Sequence, residues 1–456
     1  MNTQTIINET PRNFIKFLSF RDIELWDVKR YSSERITSEY PIVKLGTLIK
    51  EESHRVKLND FPDKEFGFLG VSNKIGIFDA YKEKGININQ SYKRMDLGWI
   101  GYNPYRINVG SIGIKSDELL NEYISPVYVV FSCKENLLPD FLYKLFKTER
   151  FSKVINDNTT GSVRQNLTFD ILKTLDIPIP PLDIQKKLLK AYYIKTEKSI
   201  EQDIAAKQKE NEINSYLLDI LGVSLKNAEK NKGFTITKFS LIERWAADYL
   251  SNLSSIKGII EGKYTAQKIR NFLLSYQYGL SSKASLEPVG TPMLRMNNIN
   301  NSELDIDNLK YISVPNERKA KVLLNKGDLL FNRTNSKELV GKTAVFNLND
   351  EYTFASYIIR LKLDSKKANV DYINYLFNSP IGRIQIDMIS RKVLGQANIN
   401  AQELQDFIFP IPDLNTQNVI VKQVSKIKDA ANSLQEKAEL NRNQAIKEFE
   451  KEIFKN

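Results

Sequence analysis

Residues 177–185 read IPIPPLDIQ and residues 409–417 read FPIPDLNTQ. Pro178, Pro180 and Pro181, like Pro410 and Pro412, cannot donate a backbone hydrogen bond, and each holds its predecessor extended, so both stretches are connectors that exclude helix. Asp183 or Asn415 then stands where a helix N-cap is expected. Outward from this pair the chain keeps matching itself. DFLYKLFKT from Asp140 matches DYINYLFNS from Asp371, and Asn166 matches Asn398. Val109-Gly110 matches Val340-Gly341, and GWIGYN ending at Asn103 matches GDLLFN ending at Asn332. From Asn103 onward the interval stays at about 230 residues, which is the mark of a tandem duplication. Weaker echoes precede it: Tyr40–Leu45 and Tyr264–Ile269 share a pattern, as do Ile23-Glu24-x-Trp26 and Ile242-Glu243-x-Trp245.

Each copy begins with β-branched and aromatic runs such as PVYVVF (126–131) and SYIIRLKL (356–363), so the expected unit is an α+β module ending in the Pro-rich connector and a long helix. The predicted layout is a first module over 1–180, with an N-terminal segment to 40, and a first helix over 181–222. A second module follows over 223–412, with a linker to 240, and a second helix over 413–456. The first helix steps by four from Leu188 to Tyr192 and then by seven through Ser199, Ala206, Ile213 and Ile220. The second steps by three and four through Val424, Ile427, Ala431, Leu434 and Ala438, then continues at Ala445, Phe449 and Ile453. Small seam residues allow close approach, and a twofold repeat makes the helix pair antiparallel. The alternative is that each helix packs on its own module.

The 456 residues exceed what one core holds, in keeping with two modules. A formal net charge of +11 points to a polyanionic partner, nucleic acid first. Cys133 and His54 are the sole cysteine and histidine, which excludes a zinc knuckle or disulfide framework and argues against Cys/His catalysis. No run approaches the ~18 apolar residues of a membrane span, and the expected compartment is the cytoplasm. Two similar modules on a rod suit a bipartite DNA target, because paired readers address half-sites about one helical turn, ~34 Å, apart. Connectors and helices match while the module interiors share only scattered positions, so the expected target is asymmetric.

The Pro-x-Pro connectors, each with a Gln five residues on, resemble the conserved regions of specificity subunits of type I restriction–modification systems. YGLSSKA at Tyr278, PMLRMNNINNSELD at Pro292, GDLLFNRTNSKELVGKTAVF at Gly327 and FASYIIRLKL at Phe354 are similar to that family's target-recognition domains. GWIGYNPYRINVGSIG at Gly98 and ISPVYVVF at Ile124 fit the same scheme. The resemblance implies a non-catalytic reader of two short half-sites with a fixed spacer. It also implies two adenine-N6 methyltransferase subunits and restriction/translocase subunits as partners, with the methyl donor S-adenosylmethionine, ATP and magnesium held by them. It implies that the long helices set the spacer and dock the methyltransferases.

Asn, Gln and Arg can bond base edges in pairs. In the second module the run Arg333, Thr334, Asn335, Ser336 and Lys337 beyond an apolar strand is the richest candidate, and Arg295, Asn297 and Asn298 form a second cluster. In the first module Asn103, Tyr105, Arg106 and Asn108 occupy the equivalent place, with Lys74 and Arg94 upstream. Because Asn103 and Asn332 match between copies they suit a framework role, and Thr334–Lys337 are the stronger specificity candidates. Leu188, Tyr192, Ile213 and Ile220 of the first helix, with Val424, Ile427 and Leu434 of the second, are the expected packing positions. Gly341-Lys342-Thr343 lacks the upstream Gly of a phosphate loop, and Asn103-Pro104-Tyr105 lacks the second proline of an amino-methyltransferase motif. Two other readings of the chain are a coiled-coil scaffold that touches no nucleic acid and a specificity subunit of a related, non-type-I system.

Overall fold

The computed structural model describes residues 36–159, 166–225, 250, 253–300, 302–389, 391–393 and 396–455. The Ile23–Trp26 and Ile242–Trp245 echo lies outside them. The chain divides into two units, residues 1–202 with 436–456 and residues 203–435, so each unit holds one module and half of each long helix.

In the first unit, β1 (Ile42–Lys44), β2 (Ile49–Glu51), β3 (Arg55–Val56), β4 (Glu65–Ser72), β5 (Gly76–Lys84), β6 (Tyr92–Arg94), β7 (Ile100–Tyr102), β8 (Ile112–Ile114), β9 (Tyr123–Ile124) and β10 (Val129–Cys133) precede three helices. These are α1 (Pro139–Lys147), α2 (Glu149–Asn158) and α3 (Phe169–Lys173), followed by β11 (Asp176–Pro178) and the forty-residue α4 (Leu182–Leu221). One sheet runs β2-β10-β7-β8 and a second runs β3-β6-β9-β4-β5, with β4 and β9 parallel. The short pair β1·β11 joins the module's start to its end, pairing Ile42 with Pro178. That pairing is why the connector is extended: β11 is a strand that stops at a proline.

α1 places Phe141, Leu142, Leu145 and Phe146 on one face, buried in a core shared with Ile100, Tyr102 and Phe131 of the sheet. Leu188 and Leu189 of α4 enter the same core, as do Phe449 and Ile453 of the second long helix. Glu450 accepts hydrogen bonds from the backbone N–H groups of Glu149 and Arg150 at 3.0 Å each, satisfying donors that the start of α2 leaves open.

The second unit repeats the plan. After α5 (Leu253–Ile260) come β12 (Ala266–Lys268), β13 (Leu273–Tyr278), β14 (Thr291–Leu294), β15 (Ile299–Asn300), β16 (Glu303–Leu304), β17 (Lys310–Ile312) and α6 (Asn316–Val322). Then follow β18 (Leu329–Asn332), β19 (Thr334–Asn335), β20 (Thr343–Val345), β21 (Thr353–Phe354), β22 (Ile358–Leu363), α7 (Val370–Asn378) and α8 (Pro380–Ile389). Last are β23 (Arg391–Val393), β24 (Gln396–Asn398), α9 (Ala401–Leu404), β25 (Ile408–Pro410) and the forty-residue α10 (Leu414–Ile453). The sheet β13-β22-β18-β20 matches β2-β10-β7-β8, β12·β25 matches β1·β11, and the parallel pair β14·β21 matches β4·β9. The β19-β24-β23 ribbon has no described counterpart in the first unit.

The two connectors end in the same clamp. Gln185 is fully buried, and its amide donates to the carbonyls of Pro180 (2.8 Å) and Asn136 (3.0 Å) while its oxygen accepts from Leu138 N–H (2.9 Å). Gln417, equally buried, bonds Pro412 (2.8 Å), Lys367 (3.2 Å) and Asn369 N–H (2.8 Å) in the same way. Each clamp fixes the first turn of a long helix against the residues that lead into α1 or α7. The expected N-caps lie two residues too late. The carbonyls of Pro181 and Asp413 receive the first helical bonds, from Gln185 and Gln417, and the Asp413 carboxylate caps through Thr416 N–H at 3.0 Å. Asp183 sits inside the first turn, because the helix starts as soon as the proline run ends.

Along the helices the heptad seam is buried as its spacing predicts. Leu188, Ser199, Ala206, Val424, Ile427, Ala431, Ala438, Ala445, Phe449 and Ile453 are buried. Tyr192, Ile213, Ile220 and Leu434 are half-buried. In the first unit Tyr192 meets Phe449 edge-on, Lys195 pairs with Glu448 (2.6 Å) and Asn441 donates to Gln202 (2.7 Å). Position rises on one helix as it falls on the other, so the pair is antiparallel. In the second unit Gln435 donates to Glu210 (3.2 Å), and Leu217 and Leu221 share a core with Ile420 and Val424. The helices pack both on each other and on the modules.

Candidate nucleic-acid interface

The loop after β7 in the first module is a self-bonded turn. Asn103 Oδ1 accepts from Tyr105 N–H (3.0 Å), its carbonyl accepts from Arg106 N–H, and its N–H donates to Ser111. Asn103 is therefore the frame of the loop, and Tyr105, Arg106 and Val109 are exposed on it. Asn108 is half-buried. Lys74 lies exposed at the turn between β4 and β5, beside Ile75, which is 69% exposed. Arg94 is held between Asp96 (3.3 Å) and Glu122 (3.8 Å), so its charge is already balanced.

In the second module the corresponding loop starts at Asn332, the fully buried last residue of β18, with its N–H on the Lys342 carbonyl and its side-chain amide on the Leu339 carbonyl (3.3 Å). Thr334 is also buried, paired across β19·β24 with Asn398. Asn335 Oδ1 accepts from Ser336 N–H (2.9 Å), while the Ser336 carbonyl accepts from Leu339 and Val340. Lys337 is exposed. Arg333 is half-buried between these, its guanidinium 5.1 Å from the centre of the Tyr278 ring. In the second cluster Asn298 is buried and holds its own turn, accepting from Arg295 N–H (2.9 Å) and donating to Asp305 (2.8 Å). Arg295 bonds the Asn308 carbonyl (2.7 Å), and Asn297 is exposed. The polar runs named from the sequence thus separate into side chains that build loops and side chains that the loops present.

Three aromatic residues were missed. Tyr276 and Tyr278 project from β13, and Tyr357 precedes β22; all are more than 40% exposed around Arg333. The alternation of Leu274, Tyr276 and Tyr278 was the available signal, because alternate residues of a strand share one face.

Thr343 is fully buried and donates to Asn374 Oδ1 at 2.7 Å, so its hydroxyl is engaged within the fold. Lys342 lines a cavity of about 270 Å³ with Tyr375, Asn211, Asn214 and Lys428. Burial holds its ammonium below the usual lysine range, opposed by the Glu210 carboxylate. Among the described residues no His, Cys, Asp or Glu cluster could hold a metal, and no helix is long and apolar enough to cross a membrane.

The profile of the type I restriction modification DNA specificity domain matches residues 32–214 and 258–442, once per repeat, and the chain belongs to that family. It is 27% identical over 199 residues to the putative MjaX specificity subunit of Methanocaldococcus jannaschii, spanning 43% of this chain and 47% of that protein. It is 24% identical over 293 residues to the EcoKI specificity subunit of Escherichia coli K12, spanning 63% of this chain and 58% of that protein. The matches thus span about half the length of these curated relatives. A chain solved in work on the complex assembly and conformational transition of the type I restriction–modification system superposes with a TM-score of 0.50 at 16% identity. That superposition covers 92% of this chain and all of the other, and it supports the fold.

Proposed function

We propose that this chain is the DNA-reading subunit of a modification and restriction complex, with each module reading one half of a bipartite, asymmetric target. The observation that carries this is the repeated unit itself. The same sheet, clamp and helix half recur twice, while the loops that begin at Asn103 and at Asn332 continue with different residues. A common frame with divergent exposed loops suits two different half-sites in double-stranded DNA, and the +11 charge suits the phosphate backbone. The forty-residue helices set the number of unspecified base pairs between the halves. Exposed Ile194 and Ile200 of α4 in the first unit, and Ile204 in the second, offer apolar side chains to two methyltransferase subunits. Those partners supply the adenine-N6 chemistry with S-adenosylmethionine, restriction/translocase subunits bring ATP and magnesium, and the complex works in the cytoplasm.

Co-expression with a cognate methyltransferase subunit, followed by sequencing of N6-methyladenine, tests the proposal. The expected result is a split motif with a modified adenine in each half, and exchange of residues 236–400 for those of a relative changes one half only. An assembled, methyl-donor-replete complex that leaves the DNA unmodified sinks the reader role and favours a scaffold.

A further inference from the structure

We infer that Arg333 is the guanine reader of the second module, so that this module's half-site contains a guanine for which the first module has no equivalent arginine. This rests on the DNA-reading function proposed above. Reading guanine takes two donors in a fixed plane, because guanine alone presents two acceptors, O6 and N7, on its major-groove edge. Adenine and cytosine turn an amino donor toward that edge, and thymine offers a single acceptor. A guanidinium fits the guanine pair, provided its fork is held in place before DNA arrives and its terminal nitrogens are not already committed.

Arg333 meets both conditions. Its backbone is fixed on both sides, N–H to the Tyr357 carbonyl (2.9 Å) and carbonyl to Ile399 N–H (2.9 Å). Its Nε donates to the Ile399 carbonyl at 3.4 Å, and the Tyr278 ring lies against the guanidinium at 5.1 Å. These contacts set the plane through Nε and one face. Among the described residues no carboxylate or carbonyl engages its two terminal nitrogens. The other arginines of the candidate loops fail one condition or the other. Arg94 is balanced by two carboxylates, and Arg295 has a terminal nitrogen on the Asn308 carbonyl. Arg106 is exposed, and among the described residues no ring contact or ion pair orients it. In the first module the residue after the matched asparagine is Pro104, where the second has Arg333, so the requirement belongs to one half only.

The test is selection of bound duplexes from a library of randomised double-stranded DNA by the full chain, wild type beside Arg333→Gln, Arg333→Lys and Tyr278→Leu. The wild type is expected to enrich a split motif with a near-invariant guanine in one half. In Arg333→Gln the preference at that one position falls about tenfold to hundredfold, with the remaining positions and the other half kept. Arg333→Lys, which keeps the charge without the planar fork, loses preference at the same position, and Tyr278→Leu weakens it in part. An undiminished guanine preference in both Arg333 variants refutes the assignment while leaving the reader function standing. An even weakening at every position refutes it too, and makes Arg333 a backbone contact. Failure of the wild type to enrich any sequence removes the assignment together with the function beneath it.

Discussion

Replacing Gln417 by alanine removes three hydrogen bonds from a site with no solvent exposure. The carbonyls of Pro412 and Lys367 and the N–H of Asn369 are left facing the space the side chain filled. A buried hydrogen bond contributes about 0.5–1.5 kcal/mol net, and a buried polar group stripped of its partner costs about 1–3 kcal/mol. Water entering the vacated volume recovers part of this, so the expected loss is about 2–5 kcal/mol, confined to the second unit. Gln417→Glu keeps the acceptor for Asn369 but turns a carboxylate toward two carbonyls, so it is expected to destabilise at neutral pH and to recover as acid protonates it. Gln185→Ala has the same effect in the first unit through Asn136, Leu138 and Pro180. Hydrogen exchange read by mass spectrometry is the suitable assay, because it resolves the two units where a single melting curve averages them. Gln417→Ala should speed exchange at the start of α10 and in α7 while leaving α1 and the start of α4 unchanged. A loss below about 0.5 kcal/mol, or equal loosening of both units, refutes the clamp.

Gly110 and Gly341 both have left-handed φ, +85° and +86°, so alanine at either costs about 1–2 kcal/mol from the backbone alone. An added Cβ at Gly341 meets Ile386 Cδ1 at 2.2 Å, whereas at Gly110 it meets only Lys147 Nζ at 3.5 Å; urea unfolding should therefore show Gly341→Ala as the more damaging change. Ala438, fully buried in the helix seam, has no room for more atoms, and Ala438→Leu is expected to cost about 1–3 kcal/mol in the same assay. Equal stability of that variant and the wild type would mean that the helices do not close on each other there. Burial pushes the Cys133 thiol up to about 12, so little thiolate forms at pH 8. Native protein should react with iodoacetamide on the order of 1,000-fold more slowly at pH 8 than urea-unfolded protein, with the gap narrowing as pH rises toward 12.

What could be read from the chain alone was what repeats. An interval of about 230 residues, proline runs and a seven-residue seam are one-dimensional patterns, and each maps directly onto backbone geometry: proline excludes helix, and a heptad puts one face inward. These were enough for two modules, two long helices and their antiparallel packing. The matched asparagines were also legible as framework, and Asn103 and Asn332 do hold loops. The roles of individual polar residues were not legible, because a side chain that builds a turn and one that the turn presents have the same composition. Asn298, Thr334 and Arg94 stand in polar runs like those of Asn297, Lys337 and Arg106, yet the first three are buried or ion-paired and the last three are exposed. Only the folded structure separates them, and for Thr334 and Arg333 the deciding partners are far along the chain: Asn398 for Thr334, and Tyr278 and Ile399 for Arg333. The two glutamines show the same division. Their spacing from the prolines marked a motif, but the contacts that explain it, to Asn136 and Leu138 or to Lys367 and Asn369, are almost fifty residues away and exist only once the module has folded against its helix.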